Sequence, residues 1–383
     1  MWFFLSPKIV FGEEALQELS QLSGKRAFIV TDETMLRLGY VGHVQELLSQ
    51  AGLESHYFAE VEPDPSLHTV YRCSEEMNIY APDWVIGLGG GSALDAAKAA
   101  WFLYERPDVP LDAINPFEVF GLRAKARFVT IATTSGTGAD VSWGFALNDT
   151  DQQAKLVRVS RELIPDLAIV DPAFVSQLPP GVTADAGMDV LAHAVEAFTN
   201  NWHNDFTDPL ALQAIRLVFT YLPRAYRDGS DREAREHMHN ASTIAGLAFS
   251  NTAIILAHAL AHAFGARFHT HHGRTVGVFL PYTIEFNAQA IPDRYTEIAK
   301  SLELSNPGAP ALAKAIRSLA HSLDQPISLA QLGVEPGDFS AALPEMLNNT
   351  LSALELIANP RPADPSDLER LFIYAFDGRP VDF

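Results

Sequence analysis

The sequence predicts an α/β protein in two parts, a parallel sheet flanked by helices followed by an all-helical half. Three observations predict it. Short apolar runs alternate with amphipathic stretches through the first half, the pattern of strands joined by crossover helices. Two of those runs end in glycine-bearing loops, "GLGGGSALDAAKAAW" from Gly87 and "TTSGTGAD" from Thr133. From Thr183 onward apolar residues recur with a helical period and strand signals are sparse.

Taken in order, the apolar stretch Met1-Trp2-Phe3-Phe4-Leu5 reads as a first strand, since Pro7 and Lys8 end it far short of a signal-peptide core. Arg26 to Thr31 reads as a buried strand ending at Asp32, and Val44 to Leu53 as an amphipathic helix. A short strand follows near Ser55 to Ala59, then a turn at Pro63-Asp64-Pro65 and a helix from Ser66 to Ala81. The run Trp84-Val85-Ile86 leads into Gly89, Gly90 and Gly91. Ser92 is placed to cap a helix from Ala93 to Trp101, rich in alanine and leucine, with Asp95 in its first turn. Phe128 to Ala132 is a further strand. The cluster Pro179-Pro180-Gly181 marks the boundary between a domain over 1–180 and one over 181–383. Helices are expected over Thr183–Thr199, Pro209–Leu222, Asp231–Phe249 and Ala253–Phe264.

Composition narrows the partners. A net charge of −20 argues against nucleic acid or an anionic membrane, both of which attract basic surfaces. The single cysteine, Cys73, excludes a disulfide framework and a thiolate metal cluster. No run lacks charge for the roughly 18 residues a membrane helix needs, so a cytoplasmic protein acting on small molecules is expected.

Two regions carry chemistry. Strand, glycine loop and helix start form an anion site, because first-turn N–H groups and the positive end of the helix dipole point into the loop. A diphosphate suits it, although the third glycine of G-x-G-x-x-G falls at Ser92. In the helical half, Asp189 and His193 are four apart on one helix face, and His258 and His262 share another. Gly265 is expected to weaken or end that second helix, and His269, His271 and His272 follow it. One carboxylate with several imidazoles suits ferrous iron or zinc. Spacing alone leaves the choice among the five histidines of this stretch open.

The segments "GGGSALDAAKAA", "TTSGTGADVS", "GMDVLAHAVEAF" and "HALAHAFG…HHG" together resemble the iron-containing (group III) alcohol dehydrogenases. The likeness runs from "VFGEEAL" through "VEPDPS" and "IVDPAFVSQLP" to "NPRPADPSDLERLFIYAF". The stretch "LPRAYRDGSDREAREHMHNASTIAGLAFSN" is similar to the alcohol dehydrogenase domain of bifunctional aldehyde-alcohol dehydrogenases, and no counterpart of their aldehyde dehydrogenase half is expected here. The resemblance implies a Rossmann-like parallel-sheet domain and an all-α domain, the architecture shared with dehydroquinate synthases. It implies Asp189, His193, His258 and His272 as metal ligands, and His262 as a residue beside the substrate; there His262 is expected to relay a proton or orient the alcohol. It further implies a dinucleotide held by Gly89, Gly90, Gly91, Ser92 and Asp95, by Thr133, Thr134 and Thr137, with Lys155 near the nicotinamide ribose; Asp64 is a lesser departure, standing near the cofactor where many members carry asparagine. Asp32 matches the acidic position that accepts the adenosine ribose hydroxyls, so NAD is expected over NADP.

The implied activity is hydride transfer between NAD and a primary alcohol or small diol, with Fe2+ (alternatively Zn2+) acting as Lewis acid, in a homodimer. Two departures bear on substrate range. His272-Gly273-Arg274-Thr275-Val276-Gly277 stands where most members have H-G-x-x-N-A, and His271 stands where proline is frequent. A glycerol or polyol dehydrogenase is an alternative. So is a dehydroquinate synthase-like lyase, against which the scarcity of basic residues around the metal motifs counts. A non-catalytic sensor of dinucleotide or metal is disfavoured by the intact ligands and loops.

Overall fold

The computed structural model describes residues 3–150 and 154–383. The chain divides into two compact units, Met1–Ser176 and Gln177–Phe383.

The first unit contains, in order, β1 (Lys8–Phe11), β2 (Arg26–Val30), α1 (Glu33–Arg37), α2 (Tyr40–Gln50), β3 (Glu54–Phe58), α3 (Leu67–Tyr80), β4 (Trp84–Gly89), α4 (Gly91–Glu105), β5 (Arg127–Ala132), β6 (Gly144–Asp149), β7 (Ala154–Val159) and β8 (Leu167–Val170). Among the described residues six strands form one sheet in the order β1-β8-β5-β4-β2-β3, and every pairing in it is parallel. Alternation along the strands fills two faces. Phe28, Val30, Val85 and Phe128 pack with Val70, Met77 and Trp101 of α3 and α4. Ala27, Ile29, Ile86 and Ile131 pack with Val41, Val44 and Leu48 of α2. Both faces are therefore covered, as an all-parallel sheet requires.

The second unit is helical among its described residues: α5 (Pro180–Thr199), α6 (Asp208–Arg227), α7 (Arg232–Ser250), α8 (Leu256–Phe268), α9 (His272–Asn287), α10 (Pro292–Ser301), α11 (Ala309–Ser322), α12 (Pro336–Leu351) and α13 (Pro365–Asp377), with short 3₁₀ turns between some of them. Its core centres on α5, whose residues Met188, Val190, Leu191, Ala192 and Val195 are all buried. Pro180, which opens this helix, is preorganised for a first helical position. Among the described residues no helix is long and apolar enough to cross a membrane.

Several expectations need correction. The first strand is Lys8–Phe11 and not the apolar stretch before it. Pro7 has no N–H to give a ladder, so the first edge bond runs from Lys8 N to Asp166 O at 3.3 Å. Met1 and Trp2 lie outside the described residues. Gly90, not Ser92, caps α4, and Asp95 lies beyond its first turn. Gly265 does not end α8, which runs on to Phe268 and closes at His269 in the left-handed region, φ 53°. The antiparallel hairpin of β6 and β7 and the short strand β8 carry too little periodicity to announce themselves in the sequence.

Candidate metal centre

Asp185, Asp189, His193 and Glu196 on α5 and Asn200 at its C-cap follow one another at spacings of four, four, three and four, so they share one face of a helix. That face is buried: Asp189 is 3% exposed, His193 5% and Glu196 2%. Ionisable groups in a helical core cost several kcal/mol each, to order of magnitude, unless they are partnered, so the partners are informative. Asp185 takes a bidentate pair from Arg274 at 2.9 and 3.1 Å. Glu196 accepts Ile255 N at 2.9 Å and Ala257 N at 2.7 Å, capping α8, and faces His258 Nδ1 at 2.5 Å.

Asp189 differs. Its Oδ1 is buried without a hydrogen-bond partner, and so is Nε2 of His258. Oδ1 lies 3.6 Å from His258 Nε2, 3.6 Å from His272 Nε2 and 3.9 Å from His193 Nε2. These separations exceed a hydrogen bond. They match donor atoms sharing a cation, since ligands about 2.1 Å from a tetrahedral ion sit about 3.4 Å apart. The ligand atoms of Asp189, His258 and His272 fall within 4.8 Å of one another. One carboxylate with imidazoles and no thiolate is the donor set of a borderline divalent metal.

Electrostatics agree with this arrangement. Burial opposes the charge of Asp189, yet His193, His272 and His258 hold its carboxyl well below the usual range. Burial likewise pushes His258 down, but the carboxylates of Glu196 and Asp189 prevail and push it up to about 10. A cation entering the cluster thus replaces a proton held between two carboxylates.

Glycine brings His272 to Asp189. A Cβ on Gly273 would stand 2.3 Å from the Asp185 carbonyl oxygen, and one on Gly277 would stand 3.0 Å from Met188 Cβ. Only residues without side chains let the first turns of α9 rest on α5 so closely. Of the remaining histidines, His262 joins the group, its ring stacked on His272 at 5.1 Å. His271 points elsewhere, with Nδ1 3.4 Å from Asp185. His269 is an exposed helix cap. His193 lies between Phe249 at 4.4 Å and His258 at 4.5 Å, ring to ring.

In the first unit β5, β4 and β2 are neighbours, so the residues that follow them meet. Thr133 N donates to Gly89 O at 3.0 Å. A Cβ on Gly89 would come 3.4 Å from Asp32 Oδ2 and 2.6 Å from Ala93 Cβ, while one on Gly91 would meet Thr137 Cγ2 at 2.7 Å and one on Gly90 would meet Thr134 Cγ2 at 3.2 Å. The three glycines therefore let the two loops and the start of α4 close on each other. Asp32 caps α1 through Oδ1, which accepts Thr34 N at 2.8 Å and Met35 N at 3.1 Å. Ser92, the second residue of α4 and so past its cap position, accepts Asp64 N on Oγ at 3.2 Å. Lys155 Nζ pairs with Asp64 at 2.6 Å. Asp95 accepts Ala146 N at 2.9 Å and so ties β6 to α4, and burial raises its carboxyl to about 6 despite Lys98.

The family profile for iron-containing alcohol dehydrogenase matches residues 6–172, and the profile for the C-terminal part of the same family matches 183–376. The chain belongs to the iron-containing alcohol dehydrogenase family. It is 37% identical over 389 residues to the NADPH-dependent butanol dehydrogenase of Clostridium saccharobutylicum, covering 100% of both chains. It is 34% identical to the bifunctional aldehyde-alcohol dehydrogenase of Escherichia coli strain K12, where it spans 99% of its own length and 46% of that protein. The solved iron-containing alcohol dehydrogenase of Thermococcus thioreducens superposes with a TM-score of 0.92 at 31% identity, covering 99% of this chain and 100% of that one.

Within this alcohol dehydrogenase, sequence reasoning passed over Glu196, Arg274 and Glu355. Glu196 carried a signal, since it stands seven residues after Asp189 and hence on the same face of α5. Arg274 and Glu355 carried none, as their partners Asp185 and His262 lie 89 and 93 residues away. Val276 is fully buried in the core of the second unit, and Thr275 Oγ1 donates back to His271 O at 3.0 Å.

Proposed function

We propose that this enzyme interconverts primary alcohols or small diols and their aldehydes with NAD(H) and ferrous iron, Asp189, His193, His258 and His272 holding the metal. One observation carries the reading: a buried carboxylate oxygen and a buried imidazole nitrogen, both without hydrogen-bond partners, converge with a second imidazole. Bound there, iron supplies Lewis acidity toward a hydroxyl or carbonyl oxygen, and NAD supplies the hydride acceptor. Glu196 orients the His258 ring through Nδ1. His262, adjacent to the ligand His272, holds the proton exchanged with the substrate oxygen.

In the first unit the first-turn N–H groups of α4 bind the diphosphate, with Thr133, Thr134 and Thr137 packed around Gly89 to Ser92. Asp32 accepts the adenosine ribose hydroxyls. Its carboxylate repels a 2′-phosphate, which supports NAD here although the butanol dehydrogenase relative is NADPH-dependent by name. Asp64 and Lys155 pair beside Ser92 at the nicotinamide ribose. The exposed Phe3, Phe4 and Phe11, at and before the edge strand β1, support a homodimer. A lone buried cysteine fits a cytoplasmic setting.

The test is NADH-linked turnover on a panel of alcohols and aldehydes after metal stripping and anaerobic reconstitution with ferrous iron or zinc. The expected result is activity restored by iron, absent in His258→Ala and greater with NAD than with NADP. Full turnover of the stripped enzyme would sink the reading. Size-exclusion chromatography with light scattering checks the dimer.

A further inference from the structure

Leu354–Ala358 forms a short 3₁₀ turn between α12 and α13, and it distributes its side chains in reverse. Leu354 is 69% exposed and Ile357 63%, while the side chain of Glu355 is only 15% exposed. Solvent ordinarily takes the carboxylate and the core takes the leucine. The inversion serves a polar contact: Glu355 Oε1 lies 2.9 Å from Nδ1 of His262. His262 is one turn beyond His258 on α8, its ring stacked on His272 with an interplanar angle of 15° and edge-on to His258 at 6.0 Å.

A glutamate carboxyl is ionised at neutral pH, and Glu355 keeps its oxygen against the imidazole of His262. An ionised carboxylate has only acceptors, so the hydrogen between the two groups belongs to Nδ1. In the neutral imidazole the other ring nitrogen, Nε2, is then an acceptor. This is the logic by which a carboxylate behind an imidazole sets its tautomer and orientation.

We propose that Glu355 is a positioning residue of the reaction: it locks His262 in the tautomer protonated at Nδ1 and so presents Nε2 as the acceptor of the substrate hydroxyl's hydrogen bond. The proposal rests on the role given to His262 above. It adds a residue from a different helical segment to the substrate side of the centre, and it makes alcohol orientation depend on the turn at Leu354–Ala358.

The experiment compares Glu355→Gln, Glu355→Leu, Glu355→Asp and His262→Ala with the wild-type enzyme. Iron content and NAD affinity are measured first, then kcat and KM for a primary alcohol. The 15N histidine spectrum is recorded on zinc-loaded, diamagnetic protein, with the His262 signal identified by its absence in His262→Ala. The expected result is a fall in kcat of about 10- to 100-fold for Glu355→Leu and Glu355→Gln at unchanged iron content and NAD affinity. Partial recovery is expected in Glu355→Asp, and the His262 signal should move from the Nδ1-protonated tautomer to a mixture in the Gln and Leu variants. Should Glu355→Leu not fold, the isosteric Gln variant decides by itself. An impaired His262→Ala beside a Glu355→Gln enzyme with wild-type kcat and tautomer would overturn the positioning role alone. An unimpaired His262→Ala would overturn it together with the role of His262.

Discussion

Asp189 and Glu196 show how one helix face gives two carboxylates opposite duties. Glu196 is satisfied by two backbone N–H groups and an imidazole, whereas Asp189 Oδ1 has no hydrogen-bond partner. Asp189→Asn and His258→Ala are therefore expected to abolish iron binding while the protein stays folded, as read by metal analysis beside circular dichroism. Glu196→Gln should retain the fold and weaken iron about 10- to 100-fold, because it loosens the ring of His258 rather than removing a ligand. The pH dependence follows from His258, whose folded-state pKa is raised to about 10. A raised pKa stabilises the metal-free fold fully below the unfolded value, about 6.5, and that stability is lost as pH rises toward 10. A metal ion held by His258 would displace the same proton. From pH 6.5 to 9.5 the metal-free protein should thus lose thermal stability, on the order of a few kcal/mol, while apparent metal affinity rises. Calorimetry and a competition titration across that range would contradict this if both quantities moved together.

Helix contact geometry decides whether the ligands meet. The first turn of α9 rests on α5 through Gly273, where a methyl group would overlap the Asp185 carbonyl oxygen at 2.3 Å. Backbone cannot swing away as a flexible side chain can. Gly273→Ala should cost about 1–3 kcal/mol by overpacking and lower iron affinity at least tenfold by lifting His272. Gly337, near the start of α12, is the control, since a Cβ there meets nothing within 4 Å. Gly337→Ala should be neutral or stabilise by about 0.4–1 kcal/mol. Equal thermal shifts in the two variants would refute the close-approach account. Arg274 belongs to the same contact, because its bidentate pair with Asp185 ties the first turn of α9 to α5.

The whole molecule carries its two candidate sites in separate units, the glycine and threonine loops before Ser176 and the carboxylate–imidazole cluster after Gln177. Each should fail independently. His258→Ala is expected to bind NAD within twofold of wild type by fluorescence titration. Gly91→Val, which drives a side chain into Thr137, should lose NAD binding and keep its iron. Loss of both ligands in either variant would mean that the sites are thermodynamically coupled.

Much of this was legible in the chain because it depends on near neighbours. Alternating apolar runs, glycines at strand ends and the four-residue spacing of Asp189 and His193 follow from backbone preference and helical period, and they set the two-part fold and half of the proposed ligand set. The quoted motifs added the family and hence His258 and His272. Tertiary structure alone decided what lies across space. It selected Glu196 as the cap of a helix some 60 residues away, set Arg274 against Asp185, and turned His271 from the cluster. It also moved the first strand past Pro7, gave Ser92 to Asp64, and brought Glu355 to His262. Those outcomes depend on which surfaces pack and on which buried polar atoms must be satisfied there, conditions that no local stretch of sequence contains.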